Sequence, residues 1–100
     1  SNIVIIDVRT QPEVEATGKI SPHTHTVSVQ ALIEYDLLHM NSQPFEEMTG
    51  FAKPTFDETL VFTCAAGIRS VVACQAAQRA GYTSLINYTG GANEWFTKTK

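Results

Sequence analysis

Cysteine is scarce in this chain. Two occur in 100 residues, Cys64 and Cys74, too few for the disulfide framework of a small secreted domain. If a helix starts near Gly67, Cys74 lies about two turns in, roughly 10 Å or more from Cys64 along the axis. A bridge needs Cα atoms within about 7 Å. Both therefore read as free thiols, which suits a reducing intracellular compartment such as the cytoplasm or the mitochondrion. Basic charge is also sparse. Seven Lys and Arg stand against ten Asp and Glu, a net charge of -3. Scattered basic residues are not the footprint of a nucleic-acid partner. No apolar run approaches the roughly 20 residues of a membrane-spanning helix, so no membrane partner is expected. The opening "SNIVIIDVR" has no basic region and no cleavage-like site, so no signal peptide is read there. Ser1 and Asn2 read as an expression remnant. Internal repeats, low-complexity tracts and linkers are missing too.

What is present fits one domain over residues 1–100. Hydrophobic residues make up 43%, enough for a core and too many for disorder. "IVIIDV" (Ile3 to Val8) is β-branched and almost wholly apolar, as in a strand buried on both faces of a parallel sheet. Thr10 and Glu13 have capping-box spacing with Pro12 in the first turn, which predicts a short helix to about Thr17, closed by Gly18. "ISPHTH" reads as loop and "TVSV" (Thr26 to Val29) as a second strand. Ala31, Leu32, Tyr35, Leu38 and His39 recur at helical spacing, so residues 30–41 are expected to form one helix. "SQPFEEMTGFAKPTFDET" holds two prolines and a glycine and reads as a long loop with at most one helical turn, pinned by Phe45, Phe51 and Phe56. "LVFTC" is a third strand, Arg69 to Ala80 a helix capped by Gly81, and "SLINY" a fourth strand. "TGGANEWF" reads as a glycine turn entering a last helix. Strands alternating with helices predict an α/β fold with a mostly parallel sheet.

In open α/β sheets, ligands sit beyond the carboxyl ends of strands. Cys64 lies at such an end. Ala65, Ala66 and Gly67 are small enough for their amide groups to turn toward one point, and the following helix adds its positive end. Such a nest binds an anion, and a thiolate is one. A thiol with a pKa near 8.5 is only about 3% ionised at pH 7, against about 75% near 6.5. Cys64 is thus the candidate nucleophile. Gly67 permits a left-handed turn, Arg69 either faces the anion or ties the loop to the body, and Ser70 offers a hydroxyl. An isolated strand-end cysteine is most often a small buried hydrophobe. The residues around Cys64 set it apart from that case, whereas Cys74, mid-helix among alanines, reads as core.

With these residues in hand, the sequence resembles the rhodanese family of single-domain sulfurtransferases. "DVR" (Asp7 to Arg9) with Glu13 and "GKI" (Gly18 to Ile20) looks like the family's first block. "CAAGIRS" (Cys64 to Ser70) resembles its active loop, and "AGYTSLINYTGGANEW" (Ala80 to Trp95) its closing block. The resemblance implies a three-layer domain with a central sheet of about four to five strands. It implies a transferase, of the thiosulfate sulfurtransferase kind, that works through a Cys64 persulfide without cofactor or metal. Ala65, Ala66, Gly67, Ile68, Arg69 and Ser70 would form the substrate and persulfide loop. The partners would be a small sulfur donor such as thiosulfate and a thiophilic acceptor, cyanide or a thiol, with a protein acceptor as a further option. Where family members that favour thiosulfate often carry basic side chains, this loop has Ala65 and Ala66. That implies modest affinity for a doubly charged donor and points to persulfides as donors.

Two alternatives stand beside this reading. Cysteine phosphatases, including those on this scaffold, separate cysteine and arginine by five residues. Here Cys64 and Arg69 are separated by four, which suits one sulfur atom better than a phosphate group or an arsenate. A binding or regulatory module on the same fold is the other alternative, although such members usually lose the cysteine. Elsewhere, His23 and His25 lack the third ligand zinc wants. Asp7 and Arg9 read as a structural ion pair, and Trp95 and Phe96 as core or pocket wall. His39 is expected to meet a helix dipole or solvent.

Overall fold

The computed structural model describes residues 2–88 together with Gly90 and Ala92. Four strands form one sheet: β1 (Ile3–Asp7), β2 (His25–Thr26), β3 (Thr59–Thr63) and β4 (Leu85–Asn87). Their order is β2-β1-β3-β4 and every neighbouring pair is parallel. The helices are α1 (Gln11–Thr17), α2 (Val29–Glu34), α3 (Ser42–Thr49) and α4 (Ile68–Ala80), with a 3₁₀ turn at Leu37–His39. Right-handed crossovers between parallel strands put α1 on one face of this sheet and the helices leading into and out of β3 on the other. In agreement, α2 and α4 pack on each other and α4 packs on β3 and β4. The result is a three-layer α/β domain. Leu60, Phe62, Ala73 and Ala77 are wholly buried where α4 meets the sheet. The alanines let helix and sheet approach closely, as their small size implied.

The connection from β1 leads to β2 on one side and the connection from β3 leads to β4 on the other. The sheet therefore has its topological switch point at the carboxyl ends of β1 and β3, where open α/β sheets bind ligands. Hydrogen bonds continue past the strands there. Val8 N–H donates to Thr63 O at 2.8 Å and Val29 N–H to Val8 O at 3.0 Å.

Three elements differ from expectation. Strand β2 is only His25–Thr26, because Ser28 caps a helix: its hydroxyl accepts from Ala31 N–H at 3.2 Å. The helix expected over residues 30–41 stops at Glu34, since Asp36 adopts a left-handed conformation (φ 50°). Asp tolerates that region better than most residues, and the break lets both Leu37 and Leu38 reach the core. His39 Nδ1 lies 2.7 Å from Asp36 Oδ1, so it meets a neighbouring carboxylate. Finally, the stretch read as a loop contains α3. Pro44 falls in its first turn, where the missing N–H has no intrahelical partner to lose. Phe45 of α3 is buried, and Phe51 packs edge-on to it with centroids 5.2 Å apart. Phe51 also stacks on His25 at 4.0 Å. Phe56 stays half in solvent, tilted on Tyr82, whose hydroxyl donates to Pro54 O at 2.7 Å. The last expected helix lies outside the described residues apart from Ala92, as do Trp95 and Phe96.

Candidate active site

Strand β3 delivers Cys64 to the switch point. Its carbonyl accepts a hydrogen bond from Ala92 N–H at 2.7 Å, so Ala92 fastens the start of the loop. Gly67 then turns the chain with φ 88° and caps α4. A side chain there would be strained, because left-handed backbone costs L-residues about 1–2 kcal/mol. This turn directs Gly67 N–H at the Cys64 sulfur, 3.1 Å away. One turn on, Ser70 Oγ lies 3.6 Å from the sulfur.

Two influences compete at the thiol. Burial, with Cys64 only 1% exposed, pushes its pKa up. The Ser70 hydroxyl and the backbone N–H groups of Ser70, Gly67 and Ala66 stabilise the thiolate, and together they outweigh burial, so the pKa falls below the ordinary thiol value. Hydrogen bonds that favour the charged form are one of the three standard causes of such a shift. Of the three amides read as a nest, Gly67 N–H is the one that donates to the sulfur, and the thiol in turn donates to Ser70 Oγ. Ala65 is half-buried, Ala66 and Ile68 are exposed, and Gly67 and Ser70 are buried. Of the loop residues, Ile68 points outward, 75% exposed.

Arg69 does not turn to the sulfur. Its guanidinium grips Glu13 of α1 with two bonds, Nη1 to Oε1 at 2.7 Å and Nη2 to Oε2 at 2.8 Å. Of the two roles open to Arg69, tying the loop to the body is the one observed. Glu13 is also the reciprocal partner in the capping box: Oε1 accepts from Thr10 N–H at 3.1 Å. Arg69 foremost, then the Thr10 amide, hold this carboxyl's pKa down at about 2. The sequence showed Glu13 as a cap residue and as part of the first block of the resemblance, without its partner. A partner 56 positions away leaves no local signal.

Beneath the loop, Asp7 and Arg9 form the expected ion pair, fully buried, at 2.7 Å. Arg9 also donates to Thr17 Oγ1 and to Gly18 O, so it welds the end of α1 to β1. Asn87, at the end of β4, went unnoticed in the sequence. Its Oδ1 accepts a hydrogen bond from the Ser70 hydroxyl. Cys74 is half-buried, and desolvation raises its pKa.

Residues 1–98 match the rhodanese-like domain family. A mouse protein named thiosulfate sulfurtransferase/rhodanese-like domain-containing protein 3 is 38% identical over 96% of this chain, which spans 59% of that protein's length. The human thiosulfate:glutathione sulfurtransferase is 37% identical over 94% of this chain and 79% of its own. Among solved structures, the single-domain sulfurtransferase RDL2 of Saccharomyces cerevisiae superposes with a TM-score of 0.87 at 31% identity, covering 99% of this chain and 77% of that one. A parallel sheet with a donor-lined cysteine at its switch point, together with a family match over nearly all its residues, leads to one conclusion: the chain belongs to the rhodanese-like domain family.

Proposed function

We propose that this protein is a sulfurtransferase whose nucleophile is Cys64. The observation that carries the reading is the polar surround of the sulfur: Gly67 N–H donates to it at 3.1 Å, its S–H donates to the Ser70 hydroxyl oxygen at 3.6 Å, and Ser70, Gly67 and Ala66 together stabilise the thiolate. The names of the mouse and human relatives as sulfurtransferases support it. The Cys64 thiolate attacks the outer sulfur of a donor. The donor's S–S bond breaks, its electron pair leaves with sulfite (from thiosulfate) or with a thiolate (from a persulfide), and a Cys64 persulfide forms. An acceptor then attacks the terminal sulfur and leaves as thiocyanate, if it was cyanide, or as a new persulfide, if it was a thiol. Cys64 returns to the thiolate. The donors that stabilise a thiolate serve the anionic persulfide equally.

Charge bears on the choice of donor. Arg69 is neutralised by Glu13, and positions 65 and 66 are alanine. The sulfur thus meets hydrogen-bond donors with little net positive charge. This favours a singly charged persulfide over doubly charged thiosulfate. The same engagement of Arg69 weighs against phosphate hydrolysis, which needs a guanidinium free to hold phosphoryl oxygens.

Intact-protein mass spectrometry tests the proposal. The reduced protein is incubated with thiosulfate or with glutathione persulfide. A gain of one sulfur atom that cyanide removes and that Cys64→Ala abolishes is the expected result. No gain from either donor overturns the reading.

A further inference from the structure

Ser70 has one hydroxyl proton and two claimants for it. It is fully buried on the first turn of α4, 3.6 Å from the Cys64 sulfur. On its other side it donates to Asn87 Oδ1. Both neighbours are held by the sheet: Cys64 follows β3 directly, and Asn87 is in register with Phe62 on the adjacent strand. A buried hydroxyl has no water to turn to, so its proton goes to one claimant or the other. With the thiol protonated, S–H donates to Ser70 and Ser70 donates to Asn87. With the thiolate, Ser70 stabilises the charge only by withdrawing its proton from Asn87.

We propose that Asn87 is a positioning residue that competes with the Cys64 thiolate for the Ser70 proton and so limits how far the loop acidifies the nucleophile. The inference rests on the sulfurtransferase reading for its significance. A thiolate loses nucleophilicity as its pKa falls, so a loop with several donors gains from a brake. Asn87 supplies one without charge. Other charged groups lie around the thiol: Arg69, whose pKa Glu13 foremost and Cys64 to a lesser degree raise, Glu13 itself, and the Asp7–Arg9 pair. All of them stay constant in the test.

The test is the pH dependence of Cys64 alkylation by iodoacetamide in a Cys74→Ala background, which needs no sulfur donor. Asn87→Leu removes the acceptor at similar volume and should lower the alkylation midpoint. Asn87→Asp keeps an acceptor, adds a negative charge, and should raise it by about one pH unit, a tenfold change in ionisation. In Ser70→Ala the midpoint rises, and Asn87→Leu then has no further effect, because the shared proton is gone. Loss of structure would return the thiol toward its ordinary value and cannot mimic a downward shift. An unchanged or raised midpoint in Asn87→Leu overturns the proposal, as does a Leu effect that persists in Ser70→Ala. Failure of sulfur uptake with the expected alkylation shifts would count against the sulfurtransferase reading and leave the role of Asn87 standing.

Discussion

Cys64 and Cys74 share one loop-and-helix unit, and both are free, yet their environments push them in opposite directions. Cys64 is the more buried of the two, and its pKa is lowered. Cys74 is half-buried, and its pKa is raised. Burial opposes ionisation at both. The difference lies in donors. The turn at Gly67 aims amide and hydroxyl hydrogens at one sulfur, whereas residues on the body of α4 have their amide hydrogens committed to the helix. A thiol's chemistry here follows from where the chain bends.

The largest effect that can break this comparison is a labelling contrast. With iodoacetamide near pH 7, Cys64 should react several-fold faster than Cys74, because its thiolate is favoured and that of Cys74 disfavoured, despite its lower exposure. Peptide mapping after partial modification reads the ratio. If Cys74 labels first, access outweighs ionisation and the donors around Cys64 matter less than their geometry implies.

The contrast was legible in the sequence at one level and hidden at another. "CAAGIRS" carries the turn in its own residues: small side chains, a glycine where φ is positive, a hydroxyl one turn into the helix. The capping box of Thr10 and Glu13 is equally local, and both appear as read. The hydrophobic runs of β1 and β3 likewise predicted parallel strands, although β1 is buried only at its carboxyl end and Ile3 is 64% exposed. What escaped were the features set by contacts distant in sequence. Glu13 with Arg69, Asn87 with Ser70, and Ala92 with Cys64 are joined only by the fold. The misread segments have a related cause. Periodicity across residues 30–41 hid the left-handed Asp36, since both sides of the break supply leucines to one core. Pro44 signalled a loop although a first-turn proline is compatible with helix.

A smaller effect sharpens the account of the turn. Gly67→Ala forces a Cβ onto backbone at φ 88°, which should cost about 1–2 kcal/mol. If the chain relaxes, the Gly67 amide moves off the sulfur and the Cys64 alkylation midpoint rises as well. Denaturant unfolding and the alkylation profile give the two readings. A stability loss with an unmoved midpoint would place the burden on the Ser70 side of the sulfur.

The smallest expected effect concerns the tie that holds the loop to α1. Glu13 has its carboxyl held at about 2 against an ordinary 4.5, chiefly by Arg69. Its folded-state pKa is depressed, so its ionisation favours the folded state. That contribution is present in full above about 4.5, shrinks as the pH falls through this window, and is gone below about 2. Its size is modest. The two side chains are 34% and 39% exposed, solvent screens the pair, and such bridges contribute about 0.2–1 kcal/mol rather than the larger figure the bare shift would suggest. Glu13→Gln keeps a weaker cap to Thr10 and loses the charge. Wild type and variant should therefore differ by that small amount at pH 7 and converge as the solution is acidified toward pH 2. Measured across pH, a constant difference would show that the bond geometry of the cap, rather than the charge on Glu13, is what anchors Arg69 and the loop behind Cys64.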